Sequence, residues 1–102
     1  MRIVARPILR NFWDQPQYRD AEQPLKAWFE EVENATWASP NEIKAQFGNA
    51  SILKGKRVVF NIKGNDYRLI VSFSFKLQIA YVKFIGTHAQ YDKVDAETVE
   101  MA

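Results

Sequence analysis

The chain has no cysteine and one histidine in its 102 residues. Without thiols there is no disulfide, no thiolate metal ligand and no cysteine nucleophile, a pattern that fits a reducing compartment. A lone imidazole excludes a multi-histidine zinc centre. No apolar run approaches the roughly 20 residues that a membrane span requires. The opening MRIVARPILRNFWD is broken by Arg2, Arg6, Arg10 and Asp14, which is not the pattern of a signal peptide. A cytoplasmic protein is the expectation. Also missing are a glycine-rich phosphate loop, a serine elbow and a paired-carboxylate motif.

What remains has the composition of a folded domain, with 47% hydrophobic, 14% aromatic and 25% charged residues. At this length the expectation is one domain spanning 1–102, large enough for a modest core without metal or disulfide support. Net charge is only +2 but is unevenly distributed. Residues 1–50 carry six basic and seven acidic side chains. Residues 51–84 carry seven basic ones (Lys54, Lys56, Arg57, Lys63, Arg68, Lys76 and Lys83) against Asp66 alone. Residues 85–102 set Lys93 against Asp92, Asp95, Glu97 and Glu100. A polyanion is a natural partner for the middle segment. Solvating charges on an exposed sheet would give the same count, and charge alone does not choose.

The first half reads as helices. Pro7 opens a short one through Asp14, where its missing N–H costs nothing. Leu25, Trp28, Phe29 and Val32 follow the i, i+3, i+4, i+7 spacing of one apolar helix face, over about Asp20 to Asn34. Ser39, Pro40 and Glu42 predict a third start, with serine at N-cap, proline at N1 and glutamate at N3 in a capping box. Gly48 would end it.

The second half reads as strands. RVVFNIK and DYRLIVSFSF flank Gly64-Asn65, a dipeptide that accepts the positive φ angles of a tight hairpin turn. That turn sets Ile62 opposite Tyr67, Asn61 opposite Arg68 and Phe60 opposite Leu69. One face then carries Val58, Phe60, Ile62, Tyr67, Leu69, Val71 and Phe73, and is core. The other carries Arg57, Asn61, Lys63, Arg68, Ser72 and Ser74, with Val59 and Ile70 among them. A third strand, QIAYVKFIG, follows a turn near Lys76-Leu77. A two-residue turn there places Tyr81, Lys83, Ile85 and Thr87 on the Arg68 face, with Ala80, Val82 and Phe84 in the core; a one-residue slip would reverse this. MRIVA is a candidate edge strand. The fold class expected is α+β, with N-terminal helices on one face of a twisted, mainly antiparallel sheet of 3–5 strands and the other face open.

Where the third strand ends, GTHAQYD holds the histidine. Thr87 and Gln90 form a second candidate capping box. His88, Tyr91 and Asp92 stand at i, i+3 and i+4 and share a side. The free N–H groups of such a helix start favour a phosphate. These groups, with Arg68, suit acid–base work on a phosphodiester. His88 would carry the proton near neutral pH, and Arg68 would stabilise charge on phosphorus. Tyr91 would stack a base or join the proton transfer, and Asp92 would orient His88 or Lys93. On spacing alone, a lone histidine beside a capping box is more often a structural residue, and Tyr91 reads as well as a core one.

FNIKGNDYRLI at 60–70 together with GTHAQYDKVD at 86–95 resembles the HigB family of toxins, within the RelE-like superfamily of toxin–antitoxin toxins. The resemblance covers nearly the whole chain, including KAQF at 44–47. It implies an mRNA interferase that cuts mRNA in the ribosomal A site by 2′-OH attack on the adjacent phosphate, leaving a 2′,3′-cyclic phosphate and using no cofactor or metal. It also implies a HigA-type helix-turn-helix antitoxin, with operator DNA bound only through the toxin–antitoxin pair and no membrane involved. The matched motifs carry over Arg68, His88, Tyr91 and Asp92 as the catalytic set, with Arg68 foremost because nothing structural accounts for it. Asn65 and Tyr67, also in the motif, have ordinary explanations in the turn and the core. Lys54, Lys56, Arg57, Asn61, Lys63, Lys83 and Lys93 are the RNA-binding candidates, the lysines and Arg57 contributing salt-sensitive phosphate affinity. A noncatalytic RNA- or ribosome-binding module on the same basic face is the alternative, and a purely protein-binding domain a third reading.

Overall fold

A computed structural model describes residues 1–4 and 6–101. The chain runs β1 (Arg2–Val4), α1 (Arg6–Trp13), a 3-10 turn (Pro16–Ala21), α2 (Glu22–Glu33), α3 (Pro40–Gln46) and β2 (Ser51–Ile52). A second 3-10 turn (Lys54–Lys56) leads into β3 (Arg57–Ile62), β4 (Tyr67–Ser74), β5 (Ile79–Thr87) and a single-turn α4 (His88–Tyr91). The five strands form one sheet in the order β1-β5-β4-β3-β2. Only β1 is parallel to its neighbour, β5. The expected α+β class, edge strand included, is what the chain forms, although Ala5 of MRIVA lies outside the described residues.

The amphipathic spacing of α2 buries Leu25, Trp28 and Val32 against the sheet, and α1 adds Leu9, Phe12 and Trp13. They meet Val58, Phe60, Ile62, Tyr67, Leu69, Val71 and Phe73, the face expected from strand alternation. Each such side chain, fully buried, contributes about 1.5–3 kcal/mol of transfer free energy. Trp28 and Phe47 each pack edge-on against Phe60, tying α2 and the end of α3 to the sheet. At the α3 start, the Glu42 carboxylate takes the N–H of Ala38 (2.7 Å) and the Ser39 hydroxyl (3.5 Å). Ser39 thus donates instead of capping, and the expected box is replaced by a glutamate that reaches one residue further back.

The β3–β4 register is as expected, with Ile62 opposite Tyr67 and Asn61 opposite Arg68. Its turn differs. The positive φ angles fall on Lys63 (52°) and Gly64 (64°), not on Gly64 and Asn65. A lysine in the left-handed region costs about 1–2 kcal/mol, so other contacts must hold it there. The β4–β5 pairing runs as expected from Ser74–Ile79 to Val71–Val82, then shifts by one residue at Ile70–Phe84. Lys83 is the unpaired residue of this bulge. The shift reverses the outer half of β5. Ile85 enters the main core, Phe84 turns to the opposite face, and Gly86, not Thr87, lies beside Arg68.

The face opposite the helices is not open, correcting the expectation. Val59, Ile70 and Phe84 form a second apolar cluster, covered by Leu53, Tyr91, Val94, Ala96, Val99 and Met101. The segment after α4 therefore crosses the sheet. Buried Arg57 fastens it, donating from Nη1 to the carbonyls of Ala96 (3.3 Å) and Val99 (2.8 Å) and from Nη2 to Glu100 (3.3 Å). Lys83 pairs with the same carboxylate at 3.1 Å.

A methyl group at Gly86 would fall 2.7 Å from the Phe84 ring and 2.8 Å from Gln90 Oε1. Gly86→Ala is therefore expected to overpack the site and destabilise the fold by about 1–3 kcal/mol. Urea unfolding at neutral pH measures this; an unchanged midpoint would show that Phe84 yields freely.

Candidate active site on the hairpin edge

Arg68 stands on the middle strand of the sheet, flanked by Asn61 on β3 and by Gly86 on β5. The space that a side chain at Gly86 would take is filled by the Phe84 ring and Gln90 Oε1. Arg68 Nη1 donates to the carbonyl of Asn65 at 3.2 Å, and Nη2 to the Asn65 side-chain oxygen at 3.4 Å. Asn61 donates to that same oxygen at 3.5 Å. The guanidinium carbon lies 5.9 Å from the centre of the Tyr91 ring, a cation–π contact. A guanidinium has five N–H donors; two are used here, so the rest are available to an anion. Asn65, which the sequence assigns to the turn, is thus the residue that holds the arginine.

The Thr87–Gln90 capping box forms as expected. Gln90 N donates to Thr87 Oγ1 (3.1 Å), and Thr87 N to Gln90 Oε1 (2.8 Å). His88 N is also used, donating to the Asp66 carbonyl at 3.1 Å. With these amides engaged, the start of α4 is a hairpin-to-helix joint and not the free phosphate site expected from its sequence. His88 Nδ1 lies 3.1 Å from Asp92 Oδ2, and both side chains are about half exposed. The carboxylate stands on the Nδ1 side of the ring, away from Nε2.

The structure thus brings together Arg68, Asn61, Asn65 and Tyr91. His88 and Asp92 form a separate pair, linked to the cluster through the Asp66 carbonyl and through α4. Lys93 follows α4 and is exposed. The other candidate cations are dispersed. Lys54 and Lys56 precede β3, so the length of that strand, about 20 Å, separates them from the hairpin tip. Both are exposed and form no ion pair among the described residues. Arg57, 8% exposed, and Lys83 hold the C-terminal segment. A surface hollow lined by Ala27, Glu30, Glu31, Asn34, Ala35 and Gln46 is on the helical side and shares no residue with this cluster.

Lys63 has acidic partners: Asp20 at 2.6 Å and Asp66 at 3.4 Å. The Tyr67 hydroxyl also donates to Asp20. Tyr18 stacks on Phe12 at 4.4 Å and receives a hydrogen bond from Gln90 Nε2 at 3.1 Å. Nothing local marks Asp20, because its partners lie more than 40 residues along the chain. Hydrogen bonds from Lys63 and then Tyr67 hold the Asp20 carboxyl below its ordinary 3.8. Burial, reinforced by the bond to Asp20, pushes the Tyr67 phenol from 10.0 up to about 12. The same bond to Asp20 raises Lys63.

The architecture and the hairpin-edge cluster define a small α+β protein of the RelE-like kind. The chain belongs to the HigB toxin family, described as the RelE-like toxic component of a toxin–antitoxin system; the family model matches residues 21–94, a span that includes both Arg68 and His88. It is similar to the mRNA interferase toxin HigB of Escherichia coli K12, at 26% identity over 95 residues, covering 90% of this chain and 88% of that protein. It is also similar to the mRNA interferase HigB of E. coli O6:H1, at 29% identity over 72 residues, covering 69% and 70%. No helix among the described residues is long and apolar enough to cross a membrane.

The titration of the Asp20 network predicts a pH profile of stability. A depressed carboxyl stabilises the fold above 3.8, and this contribution is lost as pH falls through the lowered value. A raised phenol stabilises below 10.0, and its contribution is lost between 10.0 and about 12. Urea midpoints are expected to fall at both ends, with Asp20→Asn flattening the acid limb and Tyr67→Phe the alkaline limb. Unaltered limbs in both variants would show that the network does not couple to folding.

Proposed function

We propose that this protein is an mRNA interferase, an endoribonuclease acting on mRNA in the ribosomal A site. Arg68 carries the reading. It is a partly exposed cation at the hairpin end of the sheet, held by Asn65 and stacked near Tyr91, with N–H groups left over for a phosphate. In the reaction the proton of a ribose 2′-OH passes to His88 Nε2 and the 2′ oxygen bonds to the adjacent phosphorus. The P–O5′ bond breaks, and the leaving 5′ oxygen takes a proton from solvent. The products are a 2′,3′-cyclic phosphate and a 5′-hydroxyl, and His88 returns its proton to water. Arg68 stabilises the charge that builds on the phosphoryl oxygens, Tyr91 stacks a base, and Asp92 holds the His88 tautomer. Lys93 and the Lys54–Lys56 pair supply phosphate affinity that weakens with salt, and Asn61 a neutral amide donor. The family assignment supports a HigA-type helix-turn-helix antitoxin as the neutralising partner, the pair binding operator DNA together.

Arg68→Ala is expected to lower cleavage by about 10²–10³-fold, and His88→Gln by at least about 10²-fold, with unfolding midpoints close to the parent. Primer extension on mRNA from induced cells reads the cuts. Cleavage at the parent rate in both variants would refute the assignment. Ribosome cosedimentation with intact transcripts would identify a noncatalytic binding module instead.

A further inference from the structure

The hairpin tip that holds Arg68 is itself held by a residue outside the strands. Asp20, in the 3-10 turn before α2, takes the Lys63 ammonium at 2.6 Å and the Tyr67 hydroxyl. These two partners bracket the tip at residues 63–67, and Lys63 is the residue with φ at 52°. Lys63 also reaches Asp66 at 3.4 Å across the turn. From this tip the Asn65 carbonyl and side chain receive Arg68, and the Asp66 carbonyl receives His88 N. Both arms of the candidate site are therefore fixed to a four-residue turn whose backbone is unfavourable without outside support.

We infer that Asp20 is a positioning residue for RNA cleavage: by binding Lys63 and Tyr67 it sets the tip conformation from which Asn65 aims Arg68 and Asp66 fixes the start of the His88 helix. Asp20 touches neither the RNA nor the reacting atoms. The inference rests on the ribonuclease reading for its activity arm, but its geometric arm stands alone. Lys63, half exposed, also acquires a role different from phosphate binding, and the two roles separate kinetically. A phosphate contact raises KM and the salt dependence, whereas a positioning contact lowers kcat.

The test uses the full chain carrying Asp20→Asn, Lys63→Met or both. Urea unfolding establishes that each variant folds, and the exposed Lys63→Met substitution serves if Asp20→Asn does not. The Arg68 Nε–H resonance, assigned by its loss in Arg68→Lys, reports the arginine setting. Single-turnover RNA cleavage on programmed ribosomes separates kcat from KM. Both single variants are expected to move the Arg68 resonance and lower kcat about 10–100-fold, with KM within about twofold, and the double variant is expected to be no worse than either. An unmoved Arg68 resonance overturns the inference, whatever the rate. A loss confined to KM overturns it as well, returning Lys63 to the RNA-contacting set. If the parent chain cuts no RNA, the proposed function fails, and the resonance comparison still decides whether Asp20 sets Arg68.

Discussion

Side chains alternate along a strand, so a single unpaired residue inverts everything beyond it. Lys83 is that residue in β5, and the site depends on the inversion it causes. Before the bulge, Ala80 and Val82 point into the main core. After it, Ile85 points there instead, and Phe84 joins Val59 and Ile70 on the far side. Gly86 comes to lie next to Arg68, and the Phe84 ring and Gln90 pack into the place of its missing side chain. Without the shift, Ile85 would sit on the Arg68 face and Phe84 in the core. The bulge thus creates the second apolar patch and packs Phe84 against Gly86 beside Arg68.

That second patch explains the path of residues 94–101. Val94, Ala96, Val99 and Met101 cover it, and their polar neighbours meet cations already present on the sheet. Arg57 lies at the far end of β3 from Asn61, so the segment occupies one end of the sheet face and leaves the hairpin end accessible. The basic middle of the chain is consequently divided. Arg57 and Lys83 act within the molecule, Lys63 is held by carboxylates, and Arg68, Lys54, Lys56 and Lys76 retain N–H groups for a partner, as does Lys93 beyond it.

Features set by neighbouring residues were legible in the sequence. The spacing of Leu25, Trp28 and Val32, the β3–β4 register and the Thr87–Gln90 box all arise within one or two turns of chain, and all are present. The family motifs also directed attention to Arg68 before any geometry was available. The bulge escaped because AYVKFIG places apolar residues at both parities around Lys83, so alternation supports either register. The covering segment escaped because Val94, Ala96, Val99 and Met101 are spread among acidic residues and follow neither strand nor helix spacing. Asp20 escaped for a different reason: a carboxylate is informative only beside its partners, and Lys63 and Tyr67 join it through the tertiary fold. Asn65 was seen only as a turn former because its side-chain role depends on the arginine beside it.

The parallel pairing of the first strand with the last has a consequence for the order in which the protein is assembled. Arg2 lies opposite Ile79 and Val4 opposite Tyr81, so β1 has no partner until nearly the entire chain exists. Closing so long a loop is entropically costly and rewards the chain only once β5 has been laid against β4. The hairpin of β3 and β4, closed by a four-residue turn, needs no such wait. The sheet can therefore grow outward from its hairpin, with the N-terminal strand docking as a late event at the opposite edge.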